Sequence, residues 1–134
     1  MSHLPILQFA QLHELAEQAA SIATPCNCPA QASAGWITEP ATLNGEQFLT
    51  LGTLLTDAYA EPTFDEYHPQ GTRYYSADAP IAPRYYPYNR SQVCQCVACR
   101  RIYLRYTEGG GYFTDKRIRL LQSELLIDAC QPPE

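Results

Sequence analysis

Three cysteines, Cys94, Cys96 and Cys99, fall within six residues of one another. The C-x-x-C of Cys96 and Cys99 lets one tight backbone turn aim two sulfurs at a single point. A tetrahedral zinc needs that arrangement, with sulfur about 2.3 Å from the metal. A zinc ribbon would carry a second C-x-x-C some ~15–20 residues away; the only other close pair here is Cys26-Asn27-Cys28. Cys26, Cys28, Cys96 and Cys99 together make a four-thiolate set, a closed structural zinc site that would tie an N-terminal loop to the cysteine turn. Cys94 or His68 could replace one member. The competing reading is a group of buried free thiols, because cysteine is among the most buried residue types even without a bond. Cys94 and Cys96 also alternate about Gln95, as they would on a strand. Disulfides are a third option. A redox C-x-x-C belongs at the start of a helix, whereas the following RRIYLRY reads as strand.

Other groups could also do chemistry. Asp65, Glu66 and His68, in FDEYHP, suggest acid–base work or metal ligation. The plainer reading is a turn before Pro69, with His68 bonded to backbone. An enzyme built around Glu66, His68 and Arg73 would need partners from elsewhere in the chain, and no reaction follows from the residues. Gly109–Gly111 lacks the lysine and hydroxyl residue of a phosphate loop, and G-x-S-x-G and H-E-x-x-H do not occur. The expectation is therefore a non-enzymatic protein. Arg100, Arg101, Arg105 and Arg119, with Tyr103, Tyr106 and Tyr112, could form a cation–aromatic sheet face that stacks single-stranded nucleic acid. Alternation puts Arg101, Tyr103 and Arg105 on one side of a strand and Ile102, Leu104 and Tyr106 on the other. An ordinary sheet with one wet and one dry face would give the same pattern, and Glu108 and Asp115 would partly neutralise the arginines.

The elements that must position these residues follow from size and pattern. A chain of 134 residues suits a single domain, 1–134, with one core. Leu7 to Ile22 (7–22) reads as a helix, because Phe9, Leu12, Leu15, Ala16, Ala19 and Ile22 recur at helical spacing. Trp36 to Thr38 suggests a short strand. Asn44 can cap a second helix running to about Leu51, followed by an extended 53–55, although Leu49, Leu51, Thr53 and Leu55 also alternate. Residues 57–89, rich in proline and tyrosine, have no sustained period. They form either a functional surface or a wrapped loop pinned by its tyrosines. Residues 92–121 read as a β-meander: Gln92–Cys96, Arg101–Thr107 and Gly111–Thr114, with the cysteine turn between the first two, Arg117–Leu121 extending the sheet and a short turn beginning at Ser123. The expected fold is α+β: an N-terminal helix packed on a small antiparallel sheet, with a zinc-knuckle-like β-hairpin and a long Pro/Tyr-rich loop.

The formal net charge is −5, which weighs against non-specific binding to phosphate backbones. All nine basic residues lie between Arg73 and Arg119, so a local basic patch is compatible with that total. No run approaches the ~18–20 apolar residues of a membrane helix. The first residues lack a basic-then-apolar signal layout. A cytoplasmic location is expected, where cysteines are reduced or metal-bound.

The run from EYHPQGTRYY through APIAPRYYPYNR, CVACRRIYLRYTEGGGY and RIRLL resembles a group of small, uncharacterised proteobacterial proteins. The pattern shared with them is Y-H-P-x-G-T, A-P-I-A, P-Y-N-R, C-x-x-C-x-R with Y-L-R-Y-T-E-x-G-G-Y, and R-I-R-x-L. The resemblance covers residues 53–129 and is most specific over Tyr85–Leu120. It implies that the Cys96–Cys99 turn and its flanking strands form a recurring module, and it carries no reaction or ligand. Cys94 is an addition to that pattern. Small size, negative charge, a tyrosine-rich irregular surface and missing catalytic motifs together suggest an immunity- or antitoxin-type inhibitor of a basic nuclease toxin. Its contact surface would be Asp57, Tyr59, Glu61, Asp65, Glu66, Tyr67, Tyr74 and Tyr75, with aromatics as anchors and carboxylates for orientation. The alternative is a zinc-ribbon-like nucleic-acid or regulatory module using the Arg/Tyr face.

Overall fold

The structure, a computed structural model, describes residues 5–23, 35–39, 45–55, 64–110 and 113–128. One helix, α1 (Phe9–Ala20), precedes five strands: β1 (Ile37–Thr38), β2 (Phe48–Thr53), β3 (Gln92–Cys96), β4 (Ile102–Gly110) and β5 (Phe113–Leu120). They form one antiparallel sheet in the order β1-β5-β4-β3-β2. This is the α+β layout expected, with the meander β3-β4-β5 at its centre.

Helix α1 starts where the Gln11 side chain accepts the Gln8 backbone N–H at 2.8 Å, occupying a donor that the first turn cannot use. It stops at Ser21, whose hydroxyl donates to the Gln18 carbonyl at 2.8 Å. Leu12 and Ala16, one turn apart, are fully buried and meet Ile102, Leu104 and Val93 of the sheet. Period two then sorts the strands. Val93, Ile102, Leu104 and Tyr106 face the helix side, while Cys94, Cys96, Tyr103 and Ile118 gather with Phe48 and Cys99 on the opposite side.

The second helix expected to run to Leu51 is absent. Only a 3-10 turn, Gly45–Gln47, precedes strand β2. Alternation prevails over helical propensity because β3 offers a partner: Phe48 pairs with Cys96 and Thr50 with Cys94. A bulge between Thr50 and Gly52 then shifts the register. The bulge leaves Gly52 against the N-terminal segment, where a Cβ would lie 2.7 Å from the Pro5 carbonyl oxygen. Thr53 bonds to this segment through its backbone, accepting from Leu7 N–H at 3.0 Å and donating to Pro5 O at 2.9 Å.

Residues 64–90 form an ordered wrap with little regular structure. Arg119 pins it. This side chain has no exposed surface and donates to the Ala79 carbonyl at 2.7 Å, to Ala77 at 3.4 Å and to the Tyr88 hydroxyl. Arg119 pairs with Leu104 across β4 and β5 and therefore shares its inward face. Ile81 adds a backbone stitch, donating to Leu125 O at 2.8 Å and accepting from Ile127 N–H at 2.9 Å. Burial raises the Tyr88 pKa despite Arg119 and Trp36, so its hydroxyl stays neutral.

Candidate functional site

The cysteine turn joins β3 to β4. Cys96 ends β3, Cys99 closes the turn, and Arg100 adopts a positive φ of 69°, a conformation that costs a non-glycine residue about 1 kcal/mol or more. The Arg100 N–H donates to the Cys96 carbonyl at 2.8 Å, and the Cys96 N–H to Arg101 O at 2.9 Å. This tight reversal turns peptide N–H groups onto the Cys96 sulfur. Burial alone would push the Cys96 thiol up, but the backbone N–H groups of Cys99 and Ala98, the Gln47 amide and the Cys99 thiol together bring it down to about 6. The Gln47 Nε2 lies 3.5 Å from Sγ. The lowered pKa favours the thiolate of Cys96, the form in which sulfur ligates a metal.

Cys94 has a different environment. It is fully buried, its Sγ 3.8 Å from the Thr50 hydroxyl and across the ladder from Tyr103. Cys94, Cys96 and Cys99 are all buried, and no disulfide joins them to one another. Among the described residues no group of three or more His, Cys, Asp and Glu side chains is placed to hold a metal ion. Cys26 and Cys28 lie outside the described residues. Ala23 and Cys99 both line a cavity of about 410 Å³ between the end of α1 and the cysteine turn. A two-thiol turn whose leading sulfur is supported by N–H groups could offer two ligands to a soft, thiophilic cation, half of a tetrahedral shell.

Of the expected contact residues, Asp57, Tyr59 and Glu61 lie outside the described residues. Asp65 and Glu66 are exposed, Tyr67 is half-buried against the Tyr85 ring at 5.0 Å, and Tyr75 is 65% exposed. Phe64, which the sequence reading did not single out, is 58% exposed beside them. Tyr74 turns the other way. Its ring stacks on Trp36 at 6.2 Å and its hydroxyl meets that of Tyr106. Tyr74 and Asp115 together hold the Arg117 guanidinium well above its ordinary pKa, and Arg117 in turn keeps the Asp115 carboxyl below the usual carboxylate range.

His68 bonds to side chains rather than to backbone. Its Nε2 lies 2.8 Å from Glu66 Oε1 and its Nδ1 lies 2.7 Å from Thr72 Oγ1. The reason is the turn at Gly71, with φ of 79° and its N–H 3.1 Å from His68 O, which folds Thr72 back over the ring. With the carboxylate accepting from Nε2–H, Nδ1 accepts from the Thr72 hydroxyl. Both bonds staple the exposed turn.

The arginines disperse. Arg119 is in the core, Arg84 pairs with Asp128 at 3.0 Å, Arg117 with Asp115 at 2.8 Å and Arg105 with Glu39 at 2.8 Å. On the expected cation–aromatic face Tyr103 is fully buried, so that ring offers no stacking surface to solvent. No helix among the described residues is long and apolar enough to cross a membrane. No protein-family model matches the chain, and neither a curated protein nor a solved structure matches it significantly.

Proposed function

We propose that the chain is a non-enzymatic interaction protein of the immunity or antitoxin type, which captures a basic protein domain such as a nuclease toxin. The observation that carries this reading is the pair of exposed rings, Phe64 and Tyr75, on a wrap that also exposes Asp65, Glu66 and Asp78. The wrap is anchored from behind by Arg119, so these rings are presented with little conformational freedom left to lose on binding. Aromatic anchors and carboxylate orienters suit a cationic partner, and a net charge of −5 would steer it in.

A structural zinc completes the proposal, held by Cys96 and Cys99 with Cys26 and Cys28. Support comes from the N–H-assisted Cys96 thiolate and from proximity in the chain. Ala23 borders the same cavity as Cys99, and Cys26 follows it by three residues in the sequence. Zinc would supply stability there and no chemistry.

The partner is tested by co-expression with a toxin-type reading frame encoded beside this gene. The expected result is a stable complex whose association slows with salt and slows about tenfold in Asp65→Lys/Glu66→Lys. Failure to bind any such basic domain at low salt would refute it. Zinc is tested by metal analysis of protein purified without added metal, with about one zinc per chain expected and none in Cys96→Ser. Absence of zinc from the wild-type protein would remove this part of the proposal.

A further inference from the structure

A cavity of about 470 Å³ lies between the wrap and the segment that follows β5. Two pieces of backbone frame it. Ile81 bridges Leu126 in parallel, held by the Ile81 N–H on Leu125 O at 2.8 Å and by the Ile127 N–H on Ile81 O at 2.9 Å. In a parallel pairing both chains run the same way. Asp78, three residues before Ile81, and Glu124, two before Leu126, therefore reach the same end of it, and both line the cavity. The Gly71 turn supplies a further wall through Pro69, Gln70 and Thr72, and the His68–Thr72 bond of 2.7 Å holds that turn closed. Tyr67 also lines the cavity, its ring held by Tyr85 at 5.0 Å.

The lining joins hydrocarbon to negative charge. Pro80, Leu125, Leu126 and Ile127 form its apolar part. Asp78 and Glu124 are both exposed, and neither forms an ion pair among the described residues. All nine lysines and arginines of the chain lie among the described residues, and none of them lines this cavity. The two carboxylates are therefore not compensated by the chain's own strong bases. Apolar surface beside such carboxylates suits a long cationic side chain, whose methylene stem covers hydrocarbon while its head stays at the polar edge. An arginine head adds two matches. Its planar fork bonds a carboxylate through paired N–H groups, and its face stacks on an aromatic ring such as that of Tyr67.

We infer that this cavity is a socket for an arginine side chain of a protein partner, with Asp78 and Glu124 as its charge and Leu125, Leu126 and Ile127 as its floor. The inference rests on the reading of the chain as a captor of a basic protein, and it gives that capture a second, more defined contact. Socket and aromatic–acidic surface adjoin: Tyr67 follows Asp65 and Glu66 in the chain, and His68 links Glu66, at 2.8 Å, to Thr72 of the cavity wall.

The experiment needs no partner protein. The full chain, isotope-labelled for NMR, is titrated at low ionic strength with N-acetyl-argininamide while its backbone amide shifts are followed. N-acetyl-citrullinamide, nearly the same shape without the charge, is the control. Saturable shifts centred on Tyr67, Gln70, Asp78, Leu126 and Ile127 are expected with the arginine probe and not with the citrulline one. Asp78→Asn/Glu124→Gln should weaken binding about fivefold or more with an unchanged melting temperature. Absence of saturable shifts overturns the inference, as do shifts that citrulline reproduces or that the double variant leaves unchanged. Tighter binding of putrescine at the same residues would assign a free diamine instead, and probe-free shifts that grow with protein concentration would assign a second copy of this chain; either overturns the partner assignment. This titration and the co-expression test fail separately. A complex formed by a chain that ignores the arginine probe removes the socket alone, whereas probe binding without a toxin-type complex leaves the socket to a different basic partner.

Discussion

Replacing Arg119 by methionine tests what holds the wrap to the sheet. Methionine keeps most of the aliphatic length and removes the guanidinium. The bonds lost go to the Tyr88 hydroxyl and to Ala79 O at 2.7 Å; the bond to Ala77 O, at 3.4 Å, is long and counts for little. Each charge-assisted bond contributes about 1.5–3 kcal/mol. Removing a buried charge recovers part of that, because the guanidinium no longer has to be desolvated. The net expected loss is about 2–4 kcal/mol, which for a chain of this size lowers the melting temperature by roughly 10 °C and the urea midpoint by about 1.5 M. Urea titration followed by Trp36 emission is the assay. Trp36 packs on Tyr74 and Tyr88 of the wrap, at 6.2 and 5.6 Å, so its emission reports whether the wrap stays docked. Arg119→Lys should recover less than half of the loss, since one ammonium cannot span acceptors as a fork does. A loss below about 1 kcal/mol with Trp36 emission unchanged would refute the assignment of Arg119 as the pin.

Further expectations concern the turn and the sheet edges. The Cys96 thiol is depressed to about 6 from an ordinary value of 9.0, so its stabilisation is complete above about pH 9 and is lost as pH falls through 6; in metal-free protein, urea midpoints measured across that window should decline for wild type and be flatter for Cys96→Ser. Glu39→Gln breaks the bidentate grip on Arg105 at a site where the two side chains are 11% and 21% exposed, and should cost about 1–3 kcal/mol by chemical denaturation. Gly52→Ala would place a methyl group 2.7 Å from Pro5 O and 2.8 Å from the Leu7 side chain, forcing residues 5–7 off the edge of β2. The expected cost is about 1–3 kcal/mol, with faster amide exchange at Leu7 and Thr53.

The meander was legible because its residues alternate strictly: Cys94 and Cys96 against Val93, Tyr103 and Arg105 against Ile102 and Leu104. Helix α1 was legible from Leu12 and Ala16. The segment 48–53 was not, since Phe48, Leu49 and Leu51 satisfy either period, and pairing with Cys94 and Cys96, more than forty residues away, decides the matter. Arg119 was read as part of a surface patch. Its burial depends on its register opposite Leu104 and on carbonyl groups presented by Ala77 and Ala79, neither of which has a local signature. The Cys96–Cys99 turn was visible as a motif. What distinguishes Cys96 from Cys94 is the direction of peptide N–H groups around one sulfur, a property of backbone geometry that residue letters do not encode.

The strand order has a bearing on how the chain is made. β1 and β2 follow one another in sequence yet border opposite sides of the sheet, where Ile37 pairs with Ile118 and Gly52 with Val93. Both edge strands pair with strands that are synthesised after them, β1 with β5 and β2 with β3. The central hairpins close over short spans and are the natural nucleus, while the early segments wait for later ones to emerge before they can dock. Nascent chains halted ahead of β3 would therefore present Leu12 and Phe48 before Val93, Cys96, Ile102 and Tyr103 exist to cover them, and they are natural clients for chaperones.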